Sequence, residues 1–386
     1  MQNRWRGGEC PGNRPKHMKK STQKLLDILQ AARLRTVIAG AALGLIAGCA
    51  TPTQTVKKTY EFFPPPPNEP HLQFLTAFHT EKEFRGGDDR SFMSYVTGQK
   101  PATKELSKPY GVAASGKKFY ICDTDYGGLI VADLQTREMH LKGWEGEGRL
   151  KIPLNLAVDT DGSLYIADSG RDQVVIFDKN QDYVAALGKV GEMKPRDVAV
   201  SRDRIYVADI QNHCVHVYDK ATRTNLFDIP RDTDGTNVAR RLFMPTNLAM
   251  DSKGRLYVSD TGAFRVQVYD ADGNHIRYIG GMGDSPGQFA RVKGVAVDRE
   301  SRLYAVDALS QVIQIFDEQG RPLTWFGEPG ATRQIQNLPA KVALDYDDVG
   351  YFQSFAAPDF KVEYLVIVIN QMGTHKVSVY GFGHKK

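Results

Sequence analysis

Apolar positions in this chain fall in short runs, separated by polar turns rather than spaced at helical period. The stretch Leu256 to Asp270, LYVSDTGAFRVQVYD, contains the whole unit. Tyr257 and Val258 lie in one run, and Val266, Val268 and Tyr269 in a second. An Asp closes each run, and Thr261-Gly262-Ala263 between them has the small residues a hairpin needs. The same phrase returns as LYIADSGRDQVVIFD at Leu164, IYVADIQNHCVHVYD at Ile205 and LYAVDALSQVIQIFD at Leu303, with a looser copy, FYICDTDYGGLIVAD, at Phe119. Self-similarity on this scale outweighs any single motif as a guide to architecture.

Each unit opens on another short apolar run, usually after a Pro: KPYGVA from Lys108, IPLNLAVD from Ile152, KPRDVAV from Lys194, MPTNLAMD from Met244 and LPAKVALD from Leu338. The fifth, RVKGVAVD from Arg291, lacks the Pro. A fourth run ends in Gly-rich turns at Ala186, Tyr278 and Trp325. Openings recur about every 42 to 50 residues, the length of one four-stranded sheet with its turns. Six such units in series predict an all-β fold, a six-bladed β-propeller whose middle strands are buried on both faces. The last unit supplies three strands only, Lys341 to Asp345, Tyr364 to Asn370 and Lys376 to Phe382. Leu72 to Phe78 is a strand-like segment with no partner beside it, and it is expected to complete the last blade and close the ring.

These units resemble NHL repeats. The shared pattern is P-x-G-hydrophobic-A-V-D, then hydrophobic-Y-V-A-D-x-x-N-H-hydrophobic, then V-x-hydrophobic-F/Y-D, and Asn212-His213-Cys214 is nearest to the name-giving triplet. The resemblance runs over roughly residues 106–383. It departs in the sixth unit, where Asn370 stands in place of Asp and an insertion separates the first two strands. The resemblance implies the propeller fold, and it also opens an enzymatic alternative at the axial channel. Related propellers include a zinc lyase acting on hydroxylated peptidyl-glycines and lactone hydrolases that hold a divalent cation with Glu, Asn and Asp. The positions matching that cation site are Gly111, Asn155, Asp197, Asn247, Gly294 and Lys341. Asn155, Asp197 and Asn247 are therefore the candidate oxygen ligands. Lys293 and Lys341 nearby oppose a cation, and no Glu completes the set.

Charge and composition change the picture mainly at the N-terminus. Of the 50 Lys and Arg, nine fall in residues 1–48 beside only two acidic residues, so the net charge of +5 belongs to that segment and the rest is close to neutral. A nucleic-acid partner, which needs a basic patch, is not expected. Thr36 to Ala47 is apolar, uncharged and too short to span a bilayer, and basic residues precede it. It runs into Ile46-Ala47-Gly48-Cys49, which resembles a bacterial lipobox. Residues 1–48 are thus expected to be a signal peptide, with Met18-Lys19-Lys20 a more natural start than Met1, so that 1–17 need not be translated. Cys49 is expected to carry acyl chains such as palmitate, and Ala50 in place of Asp favours the outer over the inner membrane. Residues 49–70, with Pro64 to Pro67, read as a stiff tether, 71–105 as closing strand and lead-in, and 106–386 as the propeller. A possible helical turn lies around Ser91 to Val96.

Chemistry-bearing residues are sparse. Asp123, Asp168, Asp209, Asp260 and Asp307 recur at one place in the first five units, as expected of side chains that hold their own turn. His213 and His216, three apart, are expected to face opposite ways, as surface or turn residues. Cys122 and Cys214 lie in non-adjacent repeats and are expected to be buried thiols rather than a disulfide. Tyr346 to Phe360 carries Tyr346, Tyr351, Phe352, Phe355 and Phe360, a candidate partner-binding loop or a plug over the channel. Asp228 to Arg241 reads as a solvated connection. The sequence therefore points to a lipid-anchored envelope propeller that binds another envelope protein, with no cofactor beyond the lipid. The alternative is a cation-dependent hydrolase or lyase.

Overall fold

Apolar runs of this length reach a buried sheet in one way, by pairing antiparallel with their neighbours, and the computed structural model has that arrangement. It describes residues 59–86, 104–231, 240–327 and 336–386. Blades 1 to 5 are four-stranded antiparallel sheets formed by consecutive strands. Their inner strands are Pro109–Ser115, Pro153–Val158, Pro195–Val200, Pro245–Met250 and Val292–Val297, and each packs against the next around the axis. Blade 6 joins the two ends of the chain. Pro339–Asp345, Phe360–Asn370 and Val377–Lys385 pair in order, and Leu72–Phe78 pairs antiparallel with the last of them. The spare N-terminal segment thus occupies the edge that the sixth unit leaves open, as its sequence led us to expect.

Within the segment read as tether, Glu61–Phe63 pairs with Leu72–Phe78 as a fifth strand. The reason lies in its side chains. Phe63 is buried against Phe326 and Tyr380, and Phe62 packs against Phe360, so the aromatics preceding the prolines belong to the core. The turn expected around Ser91 to Val96 lies outside the described residues. A short helix, Glu81–Phe84, carries a capping box from Thr80 and Glu83 and tucks Phe84 against Phe78.

The second and third strands are largely buried because a neighbouring blade covers each face; the third strand of blade 3, Cys214–Asp219, is the exception, with only Val215 and Val217 inaccessible. In blade 4 both Leu256–Asp260 and all but the first residue of Arg265–Tyr269 are inaccessible. At the turn between these strands the residue before the third strand has positive φ in every one of blades 1 to 5: Gly127, Asp172, His213, Phe264 and Gln311. The turn imposes this left-handed conformation, which explains why residues of such different type share the position. Turns at the opposite end of the blades use Asp differently. Asp178, Asp251, Asp270, Asp298 and Asp317 accept from backbone N–H groups two or four residues on.

Candidate functional site

Every inner strand is irregular at the same place, just after the opening residue, where its register with the second strand shifts. Such a bulge breaks strict alternation and re-aims side chains, and here consecutive positions meet at the axis. In one layer Tyr110, Leu154 and Ala340 form a buried apolar cluster. Lys293 of blade 5 reaches past the small Ala340 of blade 6 to donate to the Tyr110 hydroxyl of blade 1 at 3.1 Å. In the next layer Lys341 of blade 6 crosses to Asp197 of the opposing blade 3, Nζ to Oδ2 2.6 Å. Glycine is required between such close strands. A Cβ at Gly294 would stand 2.5 Å from Lys341 Cα, and one at Gly111 2.5 Å from the Leu154 carbonyl.

The three candidate cation ligands are all inaccessible to solvent. Asp197 Oδ2 also accepts from the Leu248 N–H at 2.9 Å and from Asn247 Nδ2 at 3.4 Å, and Oδ1 accepts from the Val198 N–H at 2.8 Å. Burial pushes the Asp197 carboxyl up, and the Lys341 ammonium and those N–H groups pull against it. Asn155 donates to the Arg196 carbonyl at 2.8 Å, and the Oδ1 atoms of Asn155 and Asn247 are buried without a partner. The structure thus joins Asp197 to Asn247 and directs Asn155 to backbone. A side-chain ammonium stands on the carboxylate where the sequence pattern suggested a metal ion.

The repeated Asp residues do more than hold their own turns. Asp168 accepts from Gly170 and Arg171 in its turn and from Lys151 and Ile152 ahead of the inner strand. Asp123 and Asp307 do the same with Ser107 and Lys108, and with Ala290 and Arg291. Each carboxylate ties the entry of its blade to the turn between strands two and three. Asn370 plays the part in blade 6, accepting from the Asn337 N–H at 3.0 Å.

The aromatic insertion does not present its five rings to solvent. Phe352 and Phe360 are buried in the core between blades 6 and 1, with Phe352 stacked on Phe119. Tyr346 stacks on Tyr364 beneath the Arg299 guanidinium. Tyr351 and Phe355 are half-buried beside Phe84 and Arg137. Two of the five rings thus belong to the core between blades 6 and 1, and the other three are half-buried.

Large exposed apolar side chains occur instead on the blade face where the inner strands begin. Tyr126 of blade 1, Ile152 ahead of blade 2, Val190 ahead of blade 3, Phe243 ahead of blade 4, Met282 ahead of blade 5, Leu309 of blade 5 and Met372 of blade 6 all sit in connections on this face. Val190, Met282, Leu309 and Met372 are 77%, 74%, 65% and 60% exposed. Turns on the opposite face contribute none of the large exposed apolar residues among the described residues; the others, Trp144 and Met244 apart, lie on outer strands.

Blade 3 holds one further cluster on the same face. His216 Nε2 lies 3.0 Å from Asp209 Oδ2 and its Nδ1 2.7 Å from Asp228 Oδ1, with Cys214 Sγ 3.7 Å from Nε2. Burial opposes a charge on His216, but Asp209, the Cys214 sulfur and Asp228 together outweigh it and push the imidazole up to about 11. An open cleft of about 760 Å³ is lined by Cys214, His216, Asp228 and also His213. His213 sits in the left-handed turn rather than on the strand, so the strand argument that would separate it from His216 does not apply. Cys122 is sealed in the core, whereas Cys214 is only half-buried, because its neighbour across the cleft is a loop and not another blade.

Comparison with known proteins agrees with this architecture. The family described as 6-bladed beta-propeller (DUF5128) matches residues 242–329, and the NHL repeat matches residues 193–218. The brain tumor protein of Drosophila melanogaster is 25% identical over 142 residues, 35% of this chain and 13% of that protein, so the chain spans only a small part of that relative. Among solved structures, a gluconolactonase from Xanthomonas campestris superposes with a TM-score of 0.52 at 15% identity, covering 81% of this chain and 89% of that one. A Bacteroides thetaiotaomicron protein of unknown function gives 0.53 at 16% identity, covering 80% and 75%. These likenesses concern the fold. Among the described residues no helix is long and apolar enough to cross a membrane.

Proposed function

We propose that this chain, a six-bladed β-propeller of NHL-type repeats, is a lipid-anchored protein of the bacterial envelope that docks another envelope protein on one face of the ring. The observation that carries the reading is the one-sidedness of the exposed apolar residues. A ring of them surrounds the face where the inner strands begin, and the opposite face is built of Asp, Gly and Lys turns. Scattered apolar residues are ordinary on a protein surface, but their collection on one face is the mark of a contact surface. The anchor rests on the lipobox-like Ile46 to Cys49, which lies outside the described residues.

Replacing Val190, Met282 and Leu309 together by Glu tests the docking. All three are exposed, so the melting temperature should hold while capture of the envelope partner is lost. Undiminished capture by the triple variant overturns the proposal. The anchor has its own test: Cys49→Ser should move the protein from the membrane to the soluble fraction, and continued sedimentation with membranes contradicts lipidation.

A hydrolase or lyase centred on the channel has one observation in its favour, the partnerless Oδ1 atoms of Asn155 and Asn247. Against it stands the Lys341 ammonium, which already neutralises Asp197 and stands in the approach to it. A gluconolactonase shares the fold at 15% identity, and a fold hosts many functions.

A further inference from the structure

We propose that Asp209, Cys214 and His216 form a zinc site on the rim of blade 3, oriented by Asp228 and open to the adjoining cleft. The ligand atoms of the first three all lie within 4.8 Å of one another. Tetrahedral bonds of about 2.0 to 2.3 Å separate N, O and S ligand atoms by roughly 3.3 to 3.6 Å. The observed Nε2 to Oδ2 distance of 3.0 Å and Sγ to Nε2 distance of 3.7 Å need only small adjustments to reach it.

The strand pairing produces this convergence. Cys214 and His216 are two apart on one strand and so share a face. Cys214 is paired with Asp209 and His216 with Asp228, which brings both carboxylates onto that face. Asp209 Oδ1 is engaged by the Lys194 and Gln211 N–H groups, which fixes the carboxylate, and Oδ2 accepts from the Asn212 side-chain amide and faces His216, so metal binding displaces that amide from Oδ2. With Nε2 on the metal, Nδ1 donates to Asp228, the carboxylate–histidine–metal arrangement that orients a ligand and raises its basicity. A thiolate, an imidazole and a carboxylate together suit zinc better than a hard cation such as Mg²⁺ or Ca²⁺. Binding displaces the Nε2 proton and the thiol proton to solvent, two protons for one Zn²⁺. Among the described residues three protein ligands converge, which leaves a fourth position on the side of the cleft beside Cys214 and His216 for water or another donor group.

The other blades give the contrast. At the place of His216 blades 4 and 5 carry Gln267 and Gln314, which instead bond the backbone of the preceding connection. At the place of Asp228 they carry Tyr278 and Trp325. Cys214 answers to Arg265 and Val312. The general demands of a blade therefore do not account for these residues. They also supply a safe substitution, because Gln at this position is what two sibling blades already use.

The test is zinc binding to the purified full chain after chelator treatment, with Zn²⁺ alone as the probe and retained metal measured after dialysis. One equivalent per chain is expected, and Co²⁺ in its place should give a thiolate-to-cobalt charge-transfer band. His216→Gln and Cys214→Val should each abolish stoichiometric retention while melting as cooperatively as the unmodified chain. Asp228→Asn should weaken affinity about 10- to 100-fold. Failure to retain zinc, or equal retention by the His216→Gln and Cys214→Val variants, overturns the proposal. If His216→Gln fails to fold, the cobalt band of the unmodified chain decides by itself: its presence supports the site and its absence overturns it.

Discussion

A single carboxylate does the same work at the entry of each of blades 1 to 5. Asp168 serves two N–H groups ahead of its inner strand and two in its turn, and all four lose a partner when it is removed. Leaving buried donors unsatisfied costs about 1–3 kcal/mol apiece before relaxation and water entry. We expect Asp168→Ala to lower the free energy of unfolding by about 3 kcal/mol in urea titration. Asp168→Asn should cost less than half of that, because Asn370 does the same job in blade 6; equal losses in the two variants would refute the account of the Asp position. This role was legible from repetition, though only half of it, since the link to the inner strand spans 16 or 17 residues and leaves no local trace. The axial ion pair was less legible. Lys341 and Asp197 lie 144 residues apart, and only the closed ring sets blade 6 opposite blade 3. Leaving either charge buried alone would cost about 3–5 kcal/mol, so the pair stands or falls together. The blade 3 cluster was missed for a different reason. Spacing within Asn212-His213-Cys214-Val215-His216 suggested two histidines on opposite faces, but the turn takes His213 off the strand. The signal available was Cys and His two apart where sibling blades carry Gln.

At the scale of elements, the strands were readable because their pattern is local, and the insertion in blade 6 was not, because its aromatics fill a space defined by distant segments. Phe352 meets Phe119 and Phe360 meets Phe62, contacts that join three remote parts of the chain. The insertion also brings two carboxyls together. Asp345 and Asp348 are nearly inaccessible, and the Oδ2 atom of each has no other partner. Burial, followed by the charge of Asp345, pushes the Asp348 carboxyl up to about 7. The folded chain therefore keeps a proton there that an unfolded Asp would release near pH 4. The unfolded state binds fewer protons across that interval, so this pair's contribution is complete below about pH 4 and is lost as pH rises to about 7. Asp348→Asn supplies a permanent donor in place of the proton. Relative to the unmodified chain it should gain on the order of 2 kcal/mol between pH 4 and pH 8. Urea titrations at the two pH values measure this, and parallel pH dependence of the two proteins would count against a shared proton.

At the scale of the whole molecule, the repeat and the orphan N-terminal strand made both the ring and its closure legible in the sequence. An antiparallel blade with one strand short has an exposed edge, and Leu72–Phe78 is the segment that covers it. The extension by Glu61–Phe63 was hidden by the prolines beside it. The one-sided apolar face, proposed above as the docking face, could not be read from sequence, because exposed apolar residues in one repeat look like isolated accidents. They become a surface only when every blade presents the same end to the same side. The most direct measurement is site-specific photo-crosslinking in intact cells, with the reactive residue at Val190, Met282 or Leu309 and, as the comparison, at Asp272 or Glu318 on turns of the opposite face. The account predicts one discrete adduct with an envelope protein from the first three positions and none from the other two. Equal adducts from both faces, or none from either, would contradict docking on this face of the propeller.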